Sequence, residues 1–555
     1  CLANALPLRA LQTFRNAIEL NPEHDNVSDA RETIEELTKF SEELLADVGV
    51  TGEDGWEIAL LQEKALAALE VGEFAAARQA ASVALEKKPD FVSARNTLSL
   101  LSWHEGQLED AIASARAILD DAPDNIPALS NLVRFLTLTG DEAAARSYAE
   151  FLKAAPSDHW DGWMQKAEGL SYLRDDAAVL EVFEQAKAAD LLDDDHISPK
   201  FFHLVGVAFA RLGQRDEAIE QWQKALELYK GYSLAEENLT DIRHTIDLRH
   251  GAWPFTFSQW LLPGVAEDLI QTVSEAYKFS KLSDKLDQNV KQFLNSHPDF
   301  IRKAPIILER GGPQGQSLIL SMAGQLKIPE LLAALKDFAL SQNGNDQMRR
   351  EAANLAAQAK LLPKTVTLWR GGEWCETRLM AYELSGEPVG MVSSEGAQFY
   401  LDEALYFFYG VDGQDLEASE VHLRKALDLK PDDPELLMEL VRLLDARGRN
   451  AEAQALRDDL QIRYSGHLCV QIMNIRELIE AGNLQAAEDL LLPILDRDRL
   501  SYRELGLTSD VYIALLMAQK QWKRAREWLE LWEEFDPDNF RLVNCLDQLN
   551  KPIQS

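Results

Sequence analysis

A pattern of small and aromatic residues recurs along this chain and limits the folds open to it. In FHLVGVAFARLGQRDEAIEQWQKALEL, small residues stand where two helices would touch, and a glycine separates two helical periodicities. The positions that carry the pattern are Gly206, Phe209, Gly213, Ala218, Trp222 and Ala225. Because one helical hairpin cannot bury its apolar face alone, a tandem of such units predicts stacked hairpins that share one core.

The same pattern returns on both sides of that stretch. Before it, the pattern is met at Gly72, Phe74, Ala77, Ala84 and Pro89, at Gly106, Leu108, Ala111, Ala115 and Pro123, and at Gly140, Ala144, Tyr148, Phe151 and Pro156. After it, the pattern is met at Ala426 and Pro431, at Gly448, Ala453 and Leu460, at Gly482, Leu484, Ala487 and Leu491, and at Trp522, Ala525, Leu529, Trp532 and Pro537. The order of these residues resembles the tetratricopeptide repeat, a helix–turn–helix unit of about 34 residues.

The middle of the chain loses this pattern. In IPELLAALKDFALSQNGNDQMRREAANLAAQAKLL, Pro329 opens one helix, an Asn-Gly turn follows, and Arg349 and Arg350 come early in a second helix. This arrangement resembles the HEAT repeat, another paired-helix unit of solenoids. We therefore expect residues 283–363 to form a HEAT-like helical segment.

One passage is strand-like. In KTVTLWRGGEWCETRLMAYELSGEPVG, alternating apolar residues flank Gly371-Gly372, a pair suited to a tight hairpin turn. A two-stranded ribbon is only marginally stable alone, so it must pack on the helices. The expected fold class is all-α: a right-handed α-solenoid of helix-turn-helix repeats, with a small β-hairpin insertion around 365–390.

These features divide the chain into five predicted segments. They are an N-terminal solenoid with a truncated first repeat at 1–250, an aromatic-rich connector at 251–282, the HEAT-like segment at 283–363, the β-hairpin insertion at 364–395 and a C-terminal solenoid at 396–555. A chain of 555 residues is too long for one core of ordinary domain size, which agrees with such a division.

Composition and motifs exclude several classes of function. The formal net charge of −36 argues against a nucleic-acid surface and favours basic partners. No HExxH, GxSxG or GxxxxGK[ST] motif is present, so we expect no catalytic residue, no metal and no cofactor. A Cys–His pair formed only in space stays open as an alternative.

The expected location follows from the cysteines and from hydropathy. The four cysteines form no CxxC pair, which suits a reducing compartment, and no run of roughly 18 apolar residues predicts a membrane span. We therefore predict a cytoplasmic protein. The alternative is a bacterial lipoprotein anchored to a membrane through Cys1.

The family resemblance implies where a partner would bind. Tetratricopeptide arrays typically bind peptides or protein segments along the concave surface formed by their first helices. Counting back from each turn glycine gives the candidate positions: Asn96, Leu100, Trp103, Asn131, Arg134, Lys200, His203, Val207, Arg211 and Arg442. A subset of these arrays captures C-terminal carboxylates with Lys, Asn and Arg, and here the matching Asn residues lack that Lys. The alternative for each position is a polar side chain without a partner.

The connector offers a second candidate surface. In GAWPFTFSQWLLPGVAEDL, Trp253, Phe255, Phe257 and Trp260 are crowded together, either as a docking patch for a partner or as a filler of the joint between two helical blocks.

Taken together, the resemblance and the missing chemistry predict a non-enzymatic scaffold or adaptor that binds a protein or peptide and works within a hetero-complex. The alternative is a regulatory or sensor region, or a subunit, of a larger protein or assembly whose catalytic part lies elsewhere.

Overall fold

The computed structural model describes most of the chain. The described residues are 7–47, 49–50, 52–190, 192, 197–278, 283–385, 395–409, 414–537, 539, 541–542, 545–546 and 549. They group into two compact units, of which unit 1 holds Cys1–Ala353 with Thr367–Cys375 and unit 2 holds Asn354–Val366 with Glu376–Ser555. Cys1 and residues 386–394 of the predicted insertion lie outside the described residues.

The N-terminal part of unit 1 is a series of helices in antiparallel pairs. Its helices are α1 (Pro7–Leu20), α2 (Val27–Asp47), α3 (Gly52–Glu70), α4 (Phe74–Lys87), α5 (Val92–His104), α6 (Leu108–Asp121), α7 (Ile126–Thr139), α8 (Glu142–Ala154), α9 (Trp160–Tyr172), α10 (Asp176–Ala188), α11 (Pro199–Arg211), α12 (Arg215–Leu228) and α13 (Ser233–Asp241). From α3 to α12, each odd-numbered helix packs on the even-numbered helix that follows it. This confirms the predicted all-α solenoid of helix–turn–helix units.

The pair α11 and α12 shows why the recurring small residues are needed. A Cβ atom on Gly206 would lie 2.6 Å from Nε1 of Trp222, so only glycine lets the two helices approach this closely. Ala218 and Ala225 have no exposed surface. Gly213, in the turn between the helices, has a φ of 82°, a conformation that glycine adopts without steric cost. The predicted roles of these residues are confirmed.

The rest of unit 1 begins with the connector. It contains a short 3-10 helix, Phe257–Trp260. The helices that follow are α14 (Val265–Lys278), α15 (Ser283–Ser296), α16 (Pro298–Arg310), α17 (Gly312–Leu326), α18 (Pro329–Ala339) and α19 (Asp346–Gln358), and α19 belongs to unit 2 from Asn354 onward. Helix α16 packs on both α17 and α18. Arg349, which the HEAT resemblance singled out, is 2% exposed and donates hydrogen bonds to the carbonyls of Asn343 and Gly344. It therefore holds the turn before its own helix.

The predicted β-hairpin is present. Its strands are β1 (Thr365–Arg370) and β2 (Glu373–Arg378), and both turn glycines have positive φ angles, 56° at Gly371 and 90° at Gly372. The turn is attached to α19, because the Gly371 amide donates to Asp346 Oδ2 at 2.8 Å. A second, unpredicted sheet pairs β3 (Glu383–Ser385) in parallel with β4 (Arg499–Ser501).

Unit 2 repeats the paired-helix arrangement. Its helices are α20 (Glu395–Tyr409), α21 (Leu416–Leu429), α22 (Pro434–Ala446), α23 (Asn450–Tyr464), α24 (Leu468–Glu480), α25 (Leu484–Leu495), α26 (Tyr502–Ala518) and α27 (Trp522–Phe535). Each even-numbered helix packs on the odd-numbered helix that follows it, and α22, α24 and α26 also contact one another in sequence. Helices α22, α24 and α26 thus form a continuous layer.

Candidate protein-binding surface

The first helices of unit 1 also form a layer, since α5 packs on α7, α7 on α9 and α9 on α11. We call the surface of these four helices that carries the predicted residues the inner face of unit 1. Four of those residues are half-buried: Asn96, Leu100, Asn131 and Arg134. Trp103 is 1% exposed and stacks on Phe135 at a centroid distance of 4.3 Å, so it belongs to the core rather than to an accessible site.

Among the predicted residues, Arg134 has a buried hydrogen-bond donor that no described residue satisfies. Its guanidinium carbon lies 5.8 Å from the ring centroid of Tyr172. Its Nε is buried, and among the residues that the structure describes no acceptor forms a hydrogen bond with it. The neighbouring Asn96 donates to Asn125 Oδ1 at 3.0 Å, while its own side-chain oxygen is buried without a donor in that same described set. A buried polar group without a partner costs free energy, so these two atoms mark an unsatisfied part of the inner face.

Lys200, farther along the inner face, already has a partner within the chain. Its Nζ lies 2.5 Å from Oε1 of Glu168, and both side chains are mostly buried. Although burial opposes the ionisation of Glu168, Lys200 and Arg134 hold the pKa of that carboxyl below its ordinary value. The carboxylate therefore stays charged and holds Lys200 in place, which leaves Arg134 as the more available cation.

Three other predicted residues are buried, two of them against the connector. His203 has no exposed surface and donates from Nε2 to the Pro254 carbonyl at 3.0 Å. Val207 is 1% exposed. Arg211 donates to the Ala252 carbonyl at 3.0 Å. This burial corrects the expectation that these side chains face a partner, because the connector carbonyls of Pro254 and Ala252 accept hydrogen bonds from His203 and Arg211.

The aromatic residues of the connector are mostly buried too. Trp253, Phe255 and Trp260 are 7%, 1% and 0% exposed, and Phe257 is half-buried. Phe255 stacks on Tyr172 with ring centroids 4.2 Å apart, and Trp260 meets the same ring edge-on at 5.3 Å. These contacts agree with the interpretation of the cluster as a filler between helices, and they do not agree with an exposed docking patch.

An open concavity of about 510 Å³ borders the connector. Helix α13 contributes Glu236 and Glu237 to its rim, and the turn after α13 contributes His244, all of them exposed. Phe257 and Pro313 form part of its wall. An acidic rim beside an apolar wall suits a basic, partly apolar segment of a partner.

In unit 2, the predicted residue Arg442 lies in a buried network of charges. Arg442 is 3.3 Å from Glu439 and 3.8 Å from Asp510. Arg541 contacts the same Glu439 at 2.5 Å, and Arg476 contacts the same Asp510 at 2.5 Å. Arg442 is therefore already paired within the chain, which corrects the expectation of a partner-facing arginine.

The carboxylates of this network differ in their ionisation. Burial opposes the ionisation of Glu439 and Asp510, but the surrounding arginines hold the pKa of each below its ordinary value. Glu435, one turn before Glu439 on α22, behaves in the opposite way, because burial raises its pKa to about 7. Its nearest cation is Arg503, whose Nε lies 3.1 Å from Oε1. The face of α22 is therefore short of positive charge around Glu435.

The sequence analysis missed these acidic residues, although a signal was present. In PELLMELVRLLDA, Glu435, Glu439 and Arg442 recur with helical spacing within an otherwise apolar first helix. Charged residues are almost never fully buried unless they are paired, so this spacing predicts a paired network. Its partners Asp510 and Arg541 could not be read from the same local pattern.

The described residues include no metal-binding cluster, and two of their cysteines are buried. No group of three or more His, Cys, Asp or Glu side chains among them could hold a metal ion. Burial raises the pKa of the Cys469 and Cys545 thiols above the ordinary value, so neither is an activated nucleophile. None of the described helices is long and apolar enough to cross a membrane.

Comparison with known proteins gives one match to a protein family. A family model described as tetratricopeptide repeat matches residues 63–126, from within α3 to the first residue of α7. No curated protein matches the sequence.

Several solved structures align with the chain. A crystal structure of the MamA protein aligns over 32% of this chain and 95% of that one, at 18% identity and a TM-score of 0.22. YrrB, described as a TPR protein with an unusual peptide-binding site, aligns over 40% of this chain and 96% of that one, at 18% identity and a TM-score of 0.23. Yeast Tom70 aligns over 90% and 88%, at 14% identity and a TM-score of 0.19.

Proposed function

We propose that this chain, which contains tetratricopeptide repeats at residues 63–126, is a non-enzymatic scaffold that binds a partner protein or peptide. The proposed site is the part of the inner face of unit 1 formed by α5 and α7. The observation that carries the proposal is Arg134, whose buried Nε has no acceptor among the described residues. Half-buried Asn96, Leu100 and Asn131 lie on the same two helices.

The chemistry of these residues limits the partner. The Arg134 guanidinium suits a carboxylate or a backbone carbonyl, since a charged donor forms the stronger hydrogen bonds. The amides of Asn96 and Asn131 suit the peptide groups of an extended segment, and Leu100 suits an apolar side chain between them. The net charge of −36 favours a partner that is basic elsewhere and draws it from a distance.

The mechanism involves no change in covalent bonds. Stacked helices hold these side chains on a rigid backbone, so little conformational entropy is lost from the protein when a partner binds. Many modest contacts along the surface then add up to a specific complex, as expected of a member of a hetero-complex.

The test compares Arg134→Glu with a matched control, Arg116→Glu, in affinity purification of the full chain from its source, followed by quantitative mass spectrometry. Arg116 is exposed on α6, the second helix of a hairpin, so its replacement changes the net charge equally without touching the proposed site. We expect at least one protein to be recovered equally with the wild type and Arg116→Glu, and about tenfold less with Arg134→Glu.

Thermal unfolding of each variant controls for damage to the fold. If Arg134→Glu is folded and recovers the same proteins in the same amounts as Arg116→Glu, the inner face of unit 1 is not the binding site.

A further inference from the structure

The chain that follows α27 covers part of the first-helix layer of unit 2. We call the described residues of this stretch, which are 539, 541–542, 545–546 and 549, the covering segment. Leu542 and Cys545 are 3% and 2% exposed and belong to the same apolar core as Trp532. Asn539 approaches α26 so closely that a Cβ atom on Gly506 would lie 2.7 Å from Nδ2 of Asn539.

The covering segment also places a cation among the acidic residues of that layer. Arg541 is 3% exposed and contacts Glu439, 102 residues earlier in the chain, at 2.5 Å. Four residues later, Cys545 Sγ lies 3.6 Å from Oδ1 of Asp510 on α26. The covering segment therefore contacts acidic residues on two different first helices, Glu439 on α22 and Asp510 on α26.

The fit between this segment and the acidic layer is incomplete. Arg541 Nε is buried, and none of the described residues accepts a hydrogen bond from it. Glu435 Oε1 is buried as well, and within the described part of the chain it receives no hydrogen bond, although Arg503 is 3.1 Å away. Unsatisfied buried groups cost free energy, so a ligand that supplied a second donor near Glu435 would bind more favourably.

The spacing of the carboxylates on α22 indicates where an additional donor would bind. Glu435 and Glu439 lie one helical turn apart. Arg541 forms an ion pair with Glu439 and acts on Glu435 only through its charge. A helix lying in the same place with a second Lys or Arg one turn from the first would meet both carboxylates. Leucines at the positions of Leu542 and Leu549 would cover the same apolar surface.

We propose that the layer formed by α22, α24 and α26 is a second binding site, which takes an amphipathic helix with two basic residues one turn apart, and that the covering segment occupies this site until such a partner displaces it. This site deepens the proposed scaffold function and rests on it, but it lies in unit 2 and is tested independently of Arg134.

The experiment uses the full chain and a fluorescent synthetic peptide with the sequence of residues 536–550. We compare the wild-type chain with Arg541→Glu, which weakens the covering segment. We expect the Arg541→Glu chain to bind the wild-type peptide at least about tenfold more tightly than the wild-type chain does. The matched control peptide, which carries Arg541→Glu itself, should bind neither chain. A second peptide with Pro537→Lys adds a basic residue one turn before Arg541 and should bind more tightly than the first.

A measurement on the unaltered protein removes the dependence on the variant's folding. Hydrogen exchange of residues 539–549 in ¹⁵N-labelled wild-type chain should rise when the Pro537→Lys peptide is in excess, and should stay unchanged with the control peptide. If exchange of these residues does not respond to the peptide, or if a folded Arg541→Glu chain binds the wild-type peptide no better than the wild type, the covering segment is a fixed part of the fold and the proposal is wrong.

Discussion

The two units use the same paired-helix construction, but different kinds of chemical group cover the surfaces of their first helices. In unit 1, the connector brings aromatic rings and backbone carbonyls, and His203 beneath it donates to the Pro254 carbonyl. In unit 2, arginines and carboxylates are paired, as in the contact of Arg541 with Glu439. The connector therefore covers unit 1 with neutral groups, whereas the buried surface of unit 2 is held by paired charges.

This difference shows which residues of a helical repeat are constrained by its construction. The glycines and alanines between paired helices must be small in either unit, as Gly206 against Trp222 illustrates. The residues that face away from the second helix have no such requirement. Each unit can therefore carry its own chemistry on that surface, and recognition of a partner can differ between the two.

The largest expected effect is the removal of one charge from the network of unit 2. Glu439→Gln leaves Arg442 and Arg541 buried without their shared carboxylate, so we expect a loss of about 3–5 kcal/mol in the free energy of unfolding of unit 2. This loss should appear as faster hydrogen exchange in α22 and α26, while exchange in α5 and α7 of unit 1 should be unaffected.

The matched control is Asp459→Asn, the same change of acid to amide in the surface pair of Arg463 and Asp459. It should leave exchange unchanged, because surface ion pairs contribute little to stability. Equal protection factors in Glu439→Gln and the wild type would contradict a structural role for the network.

A smaller effect in unit 2 depends on pH. Because burial raises the pKa of Glu435 to about 7, the folded state holds its proton more tightly than the unfolded state, whose carboxyl titrates near 4.5. The stability from this group is fully present below pH 4.5 and is lost as pH rises through 7. Between pH 5 and 7.5 we expect unit 2 to lose on the order of 2 kcal/mol from this cause, measured by exchange in α22. Glu435→Gln should remove this pH dependence; a slope that survives the substitution would assign it to another group.

Unit 1 should respond to pH in the opposite direction. Burial lowers the pKa of His203 to about 3, and the nearby Lys200 and Arg211 act in the same direction. The unfolded state therefore binds the proton more readily, so stability is present above about pH 6.5 and is lost as pH falls toward 3. At pH 5 the loss should be about 2 kcal/mol relative to pH 7.5.

Exchange in α11 measures the effect of His203, and His203→Asn, which keeps a donor but does not titrate, should be insensitive over this range. If α11 is equally protected at both pH values in the wild type, burial of neutral His203 does not make the stability of unit 1 depend on pH.

The sequence predicts the part of this architecture that depends on local spacing. Gly206, Gly213 and Ala218 recur at fixed distances, so their roles in the hairpin could be read from the chain alone and are confirmed. The hairpin at Gly371-Gly372 was predictable for the same reason, since its turn requires positive φ angles that glycine adopts readily.

The distant segments that cover the first helices could not be predicted in the same way. His203 meets Pro254 51 residues later, and Arg541 meets Glu439 across 102 residues. Helical spacing states which face a residue occupies, but it does not state which distant segment will cover that face. For this reason helical spacing placed the candidate positions on first helices but did not predict that His203, Val207 and Arg211 are buried.

The smallest expected effect compares one glycine in each unit. In Gly206→Ala the new Cβ would meet the Trp222 ring at 2.6 Å, and a buried indole has little room to move, so overpacking should exceed the gain in helix propensity and cost about 1 kcal/mol net in α11 and α12. In Gly506→Ala the nearest atom, at 2.7 Å, is the end of the Asn539 side chain, which can rotate away. We expect that variant to be nearly neutral in α26 and to raise exchange only in residues 539–549. If instead Gly506→Ala destabilises α26 as much as Gly206→Ala destabilises α11, the covering segment is as firmly packed as the helices within a hairpin, and the contrast between the two units is confined to their charges.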